Sequence, residues 1–233
     1  MIDIFKLYLD PGHGGKDPGA VANGLMEKHI VLKLAKRIRD ILANEYEGVA
    51  VKMSRSDDSF PSLSSRTNEA NSWGANLFLS LHINAGGGTG FESFIYTNAG
   101  ARTSQAQVAI HDEIRKQIRD QGVTDSGRKE KNYHVLRETN MSSVLTDNLF
   151  IDTKADAARL KQETFLEALA RGHVNGLEKA FNLKQKEIQA EKSKTSTGGL
   201  YRVQVGAFSE KTNAENLARE LEGKGYSTHI VQE

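Results

Sequence analysis

Residues 7–27 read LYLDPGHGGKDPGAVANGLME. Leu7 and Leu9 alternate with their neighbours as in a short strand. Asp10-Pro11-Gly12-His13-Gly14-Gly15 follows, a turn that bulkier residues could hardly build. His13 therefore falls at the strand's C-terminal edge, where open α/β sheets hold their ligands. Glu27 comes fourteen residues later, just before an amphipathic segment, and a second strand at Leu77–Leu81 ends in His82. Two imidazoles and one carboxylate leave a coordination position free, which is the ligand count of a catalytic zinc site.

Working outward from this stretch, Ile30, Val31, Leu34, Ile38, Ile41 and Leu42 recur at helical spacing, with Lys33, Lys36, Arg37 and Asp40 on the opposite side. Val49–Met53 is expected as a strand, and a polar helix as opening at Ser62 and ending near Trp73-Gly74. Leu77–Leu81 is almost continuously apolar, the pattern of a strand buried on both faces. Phe91–Tyr96 is another strand after Gly86-Gly87-Gly88. A helix starting near Thr103 carries Ile110, Ile114 and Ile118. Tyr133–Leu136 reads as a short strand, and Val144–Ile151 as another with a polar interruption at Asp147-Asn148. Residues 153–183 hold two helices with Leu166, Leu169, Leu177 and Phe181 facing inward. Strands alternating with helices predict a single sheet covered on both faces.

Lys184–Gly199, KQKEIQAEKSKTSTGG, offers almost nothing to bury and reads as a linker. From Leu200 a βαβ-like pattern resumes: a strand at Tyr201–Val205, a helix at Ala214–Leu221 and a strand at Thr228–Val231. A unit that small, without cysteine or metal, falls below the roughly 40 residues at which such a piece holds itself together.

A chain of 233 residues suits one α/β domain plus a small unit, and 38% hydrophobic with 26% charged residues is the balance of a soluble globular protein. No apolar run reaches the length needed to span a membrane. MIDIFKLYLD has acids inside it and no small-residue cleavage site, so it reads as a first strand and not as a secretory signal. The absence of cysteine removes disulfide scaffolds and thiolate metal sites. Residues 1–183 hold 23 basic and 23 acidic side chains, and 184–233 hold 8 and 7. No basic face dense enough to follow a phosphate backbone results, which argues against nucleic acid.

A single histidine at a strand end is more often structural than functional. Two of them with Glu27 after a glycine-rich turn make the metal reading the stronger one. The alternative that the loop cradles phosphate fails because Gly14-Gly15-Lys16 is followed by Asp17, and the spacer of a P-loop is missing. His29, His111, His134, His173 and His229 have no ligand-like company. Asp10 is expected to cap the turn or to orient His13. Glu92 and Glu138 flank strands at the presumed site edge and are candidates for shaping a substrate groove.

LDPGHGG, Glu27 in NGLMEK, SLHINA and GFESFIY resemble the zinc-dependent N-acetylmuramoyl-L-alanine amidases of the Amidase_3 type, over residues 4–183. The resemblance implies a single mixed, largely parallel sheet flanked by helices on both faces, followed here by the small βαβ half-module. It implies one Zn²⁺ held by His13, Glu27 and His82, and hydrolysis of the amide joining the lactyl group of N-acetylmuramic acid to the L-alanine of the stem peptide. The family's catalytic glutamate lies in a pattern like LTENGFI, which here reads Leu145-Thr146-Asp147-Asn148-Leu149-Phe150-Ile151. Asp147 thus stands for a glutamate and Leu149 for a glycine. The stem is one methylene shorter, which retracts the carboxylate by roughly 1.5 Å, and misplacement of about 1 Å can cost on the order of a hundredfold in rate. A zinc amidase that is slow, or whose activity a backbone shift restores, is therefore expected, with a wall-binding protein of degenerate site and a zinc peptidase on stem peptides as the rivals.

YRVQVGAFS at 201–209 resembles the opening of a SPOR-type peptidoglycan-binding module, of which 200–233 would be the first half. Pairing with a second chain's half is one way to complete its binding face. Without an export signal, the enzyme is expected to reach the wall after release from the cytoplasm, as in mother-cell lysis during sporulation or in phage lysis.

Overall fold

The computed structural model describes residues 4–187, 205–206, 210–223 and 226–231. Two compact units divide the chain, 1–187 and 188–233. In the first, six strands form one sheet: β1 (Phe5–Pro11), β2 (Val49–Met53), β3 (Leu77–Asn84), β4 (Phe91–Ile95), β5 (Asp125–Glu130) and β6 (Ser142–Phe150). Their order is β2-β1-β3-β6-β4-β5. All neighbours run parallel except β4 and β6, so the sheet is mixed and largely parallel.

Side-chain alternation along the strands sorts the core into two unequal halves. From β3, Leu77, Leu79, Leu81 and Ile83 join the large core, whereas Phe78 joins the small one. The large core is closed by α1 (Glu27–Glu45), α3 (Ala101–Ile118) and α6 (Glu163–Phe181). In α1 the stripe Ile30, Val31, Leu34, Ile38, Ile41 and Leu42 is buried as its spacing predicts. Full burial of one such side chain contributes about 1.5–3 kcal/mol. Helices α3 and α6 approach closely because Gly172 and Gly176 lie against Ile114 and Ile110: a Cβ there would stand 2.6 and 2.5 Å from their Cα atoms.

The small core holds Tyr8, Phe78, Phe94 and Leu145 beneath α2 (Leu63–Trp73) and α4 (His134–Arg137). Ser62 caps α2 by accepting from the Ser65 amide, and Gly74 ends it in the left-handed conformation. By alternation with Phe78, Leu145 and Phe94, the side chains of His82, Asp147 and Glu92 stand on this thinly covered face. α5 (Lys154–Leu160) follows β6 and closes the same end of the sheet as the β3–β4 loop.

Several expectations need correction. Tyr133–Leu136 is no strand; His134–Arg137 is a helical turn whose Val135 and Leu136 enter the small core. Asp125–Glu130 is a strand that the sequence hides, since its six residues DSGRKE include none of the apolar ones that mark a strand. Lys184-Gln185, expected in a linker, pairs with Tyr46-Glu47 and stays within the first unit. The rest of that linker, from residue 188, and Tyr201–Gln204 lie outside the described residues. In the second unit the expected helix spans Lys211–Gly223, labelled α7. Thr228–Val231, expected as a strand, has no strand pairing among the described residues. No described helix is long and apolar enough to cross a membrane.

Candidate metal centre

His13, Glu27 and His82 converge, each with a ligand atom within 4.8 Å of the others'. His13 leaves the end of β1 with φ +60, a left-handed conformation that is strained for a side-chain-bearing residue and tolerated where function fixes the backbone. Its Nε2 lies 3.1 Å from Glu27 Oε2, and His82 Nδ1 lies 2.9 Å from Glu27 Oε1. The two rings stand edge to face with centroids 5.0 Å apart. A tetrahedral ion with bonds of about 2.0–2.2 Å keeps its ligand atoms on the order of 3.3 Å apart, close to these separations. Two imidazoles with an ionised carboxylate, each imidazole about a quarter exposed, are donors that suit zinc.

Glu27 is nearly fully buried. Burial opposes its ionisation, but His13 and His82 outweigh that and hold its pKa far below the usual carboxylate range. Backbone amides of Ala20 and Ile83 donate to its two oxygens at 2.9 and 3.0 Å, which fixes the carboxylate from both sides. Two glycines make room. A Cβ on Gly12 would come within 2.3 Å of the His82 ring, and one on Gly19 within 2.6 Å of Glu27 Oε2.

Asp10 does not touch the His13 ring. The partner of His13 Nδ1 is Asp17, at 2.8 Å, which leaves Nε2 to face Glu27. Burial lowers the pKa of His13, but the Glu27 and Asp17 carboxylates raise it further than burial lowers it. Asp10 instead accepts from Arg66 Nη1 at 2.7 Å and from Ser80 Oγ at 2.8 Å. Arg66 Nη2 in turn donates to the His13 carbonyl at 2.8 Å, so Asp10 acts on the ligand loop through a guanidinium. Arg55 completes the clamp, donating to the carbonyls of Pro11, Gly12 and Lys28. Both arginines are buried. Neither stands out in the sequence, because their partners are backbone oxygens that only the folded loop brings together.

Asp147 is the register partner of His82 on one side and of Glu92 on the other. Burial is the main cause that raises its pKa, to about 6; Glu27 and Glu92 add to the rise, while His82 and Lys129 oppose it. A carboxyl group with a pKa near neutrality can both take and give a proton. Two residues on, Leu149 has φ +73 and is fully buried, so the position that calls for glycine in the related pattern does adopt a backbone that glycine favours. Glu92 is buried beside Asp147 and accepts from Lys129 Nζ at 2.5 Å and Asn84 Nδ2 at 3.1 Å. Glu138 lies elsewhere, exposed at the end of α4 and paired with Arg137.

Of the other histidines, His111 joins Ser93 Oγ (2.8 Å) to Asp125 (3.0 Å), and His173 joins Thr146 Oγ1 (3.0 Å) to the Leu169 carbonyl (2.8 Å). Ser93 is fully buried, so that Ser-His-Asp chain is a packing device without a reachable nucleophile.

Comparison with known proteins agrees with this geometry. The profile of the N-acetylmuramoyl-L-alanine amidase family, Amidase_3, matches residues 7–179, and that of the SPOR domain matches 197–233. The sporulation-specific N-acetylmuramoyl-L-alanine amidase of Bacillus subtilis (strain 168) is 52% identical over 228 residues, covering 98% of this chain and 85% of that one. The endolysin of Bacillus phage SPP1 is 50% identical over 183 residues, covering 77% and 67%. The crystal structure of the N-acetylmuramoyl-L-alanine amidase from Clostridium difficile 630 superposes with a TM-score of 0.74 at 29% identity, covering 77% and 98%. The family match over most of the chain, the identity to these relatives and the shared fold show that the chain belongs to the N-acetylmuramoyl-L-alanine amidase family.

Proposed function

We propose that the chain is a zinc-dependent peptidoglycan amidase that cuts between the lactyl group of N-acetylmuramic acid and the L-alanine of the stem peptide. The observation that carries this reading is the His13–Glu27–His82 cluster with Asp147 in the next strand, level with His82. His13, Glu27 and His82 would hold the zinc, which when bound would polarise a carbonyl oxygen and lower the pKa of water from 15.7 to about 7. Asp147 takes a proton from the attacking water and returns it to the alanine nitrogen as the C–N bond breaks. The products are a lactyl carboxylate and a peptide with a free N-terminal alanine. Asp17 holds the His13 tautomer, and Arg55 and Arg66 hold the loop that carries it.

The test uses purified wall, measuring zinc content and release of alanine amino groups on one preparation of native protein, Asp147→Glu and Asp147→Ala. Asp147→Ala activity equal to native removes the proton-shuttle role. Mass analysis of the products separates an amidase from a peptidase, because only the amidase leaves intact stem peptides.

Action on the wall after release from the cytoplasm, by sporulation mother-cell lysis or phage lysis, is part of the same reading. The names of the sporulation-specific and endolysin relatives support it. For the SPOR-matching segment we propose wall binding, with two chains' segments pairing to complete the face. Sedimentation of the full chain over a concentration range tests the pairing, and a concentration-independent monomer removes it.

A further inference from the structure

The groups on the thin face of the sheet form a row that has a direction. His82, Asp147 and Glu92 are successive register partners across β3, β6 and β4. Lys129 of β5 is the register partner of Phe94, two residues along β4, and its Nζ reaches back to Glu92 at the end of the row. His13 and the glycine loop lie toward β1, at the opposite end. A proton released from Asp147 must reach the leaving nitrogen, so the amine half of the substrate has to lie on the Asp147 side of the metal ligands. The acyl half then lies toward His13. An extended peptide leaving Asp147 past Glu92 meets Lys129 and Tyr133, the exposed groups at that end.

Of those, Lys129 has the chemistry of a reader. Its Nζ uses one N–H on Glu92 at 2.5 Å, and its side chain is 44% exposed, so two ammonium donors remain for a ligand. The Phe94 ring lies 5.8 Å from that Nζ and 5.6 Å, centroid to centroid, from the ring of Tyr133. Tyr133 is 37% exposed, so its ring stays open to a ligand beside Phe94. Glu92 is already satisfied by Lys129 and Asn84, so it repels further anions less than a bare carboxylate would.

Resting on the amidase reading, we infer that Lys129, seated between Glu92 and the Phe94–Tyr133 aromatic pair, recognises the free carboxylate of the acidic residue that follows L-alanine in the stem peptide. The span fits. β5 lies two strand spacings, roughly 10 Å, from β6, and the Lys129 side chain leans back toward Glu92. Two extended peptide residues cover about 7 Å. An ammonium supplies charge without a fixed fork, so it suits a single carboxylate at the edge of an open groove.

The experiment uses the full-length, zinc-loaded chain and two muramoyl tetrapeptides that differ only in that second residue, free acid or α-amide. Kinetics of amine release and binding of the two corresponding free tetrapeptides, followed by calorimetry, are both recorded. Native protein is expected to prefer the acid about tenfold, in KM and in peptide Kd. Lys129→Met is expected to lose the preference, Lys129→Arg to keep most of it, and Tyr133→Phe to reduce it about threefold. A native preference below twofold, or one that survives in Lys129→Met, overturns the inference. Amine release without any Lys129-dependent preference leaves the amidase reading intact and sinks only this one. A Lys129-dependent binding preference without amine release does the reverse.

Discussion

His82 and Asp147 face each other across the parallel pairing of β3 and β6, so a ligand imidazole and the buried acid beside it are one strand spacing apart. Because both are fixed by backbone register, Asp147→Ala is expected to lower kcat by about 10²- to 10⁴-fold, the range for loss of a general acid–base group. Zinc content should not change. Steady-state rates on purified wall, read beside metal analysis, check this. A parallel loss of metal would mean that Asp147 supports the cluster and does not shuttle the proton.

Gly12 is a glycine because the His82 ring occupies the space where a Cβ would stand. Gly12→Ala is therefore expected to displace that ring and to weaken zinc binding by at least about tenfold, as loss of a supporting group does. Competition with a chromogenic chelator measures it. Unchanged affinity would mean that the ring has freedom the packing denies.

Leu149 combines φ +73 with complete burial. Replacing it by alanine keeps the backbone strain and forfeits the packing, a loss of about 2–5 kcal/mol. Replacing it by glycine forfeits the same packing but relieves about 1–2 kcal/mol of left-handed strain. Leu149→Gly should thus be more stable than Leu149→Ala, the reverse of the usual order. Denaturant midpoints of the two variants decide it.

His173 is fully buried, which pushes its pKa down to about 4 against a weaker pull upward from the Leu169 carbonyl. The unfolded chain takes up that proton near pH 6.5, and the folded one only near 4. Stability is therefore fully present above pH 6.5 and lost as pH falls between these values, by about 3 kcal/mol from this group. Urea unfolding of native protein and His173→Gln at several pH values between 7 and 4 should show a flatter decline in the variant.

At Gly172 and Gly176 the α3 backbone leaves no room for a side chain. Either residue changed to alanine should cost about 1–3 kcal/mol by forcing the helices apart. Thermal unfolding of the single variants checks this. Metal content should survive, because neither helix carries a ligand.

What the sequence makes legible follows from how local each signal is. His13, Glu27 and His82 can be read because each sits at a turn or strand end marked by its immediate neighbours. The role of Asp17 is not legible, since a carboxylate four residues from a histidine in an irregular loop has no periodic signature. Arg55 and Arg66 are equally silent. β5 is missed because the edge strand of a sheet is charged where an inner one is apolar, and DSGRKE is such an edge. Tyr133–Leu136 misleads for the opposite reason: a run of four residues is too short to show whether its period is two or 3.6.

Metal stoichiometry tests the central claim most directly. Elemental analysis of native protein after exchange into metal-free buffer should find about one zinc per chain. His13→Ala, Glu27→Ala and His82→Ala should each lose it while keeping native circular dichroism. Zinc absent from the native chain, or retained in all three variants, would contradict the account.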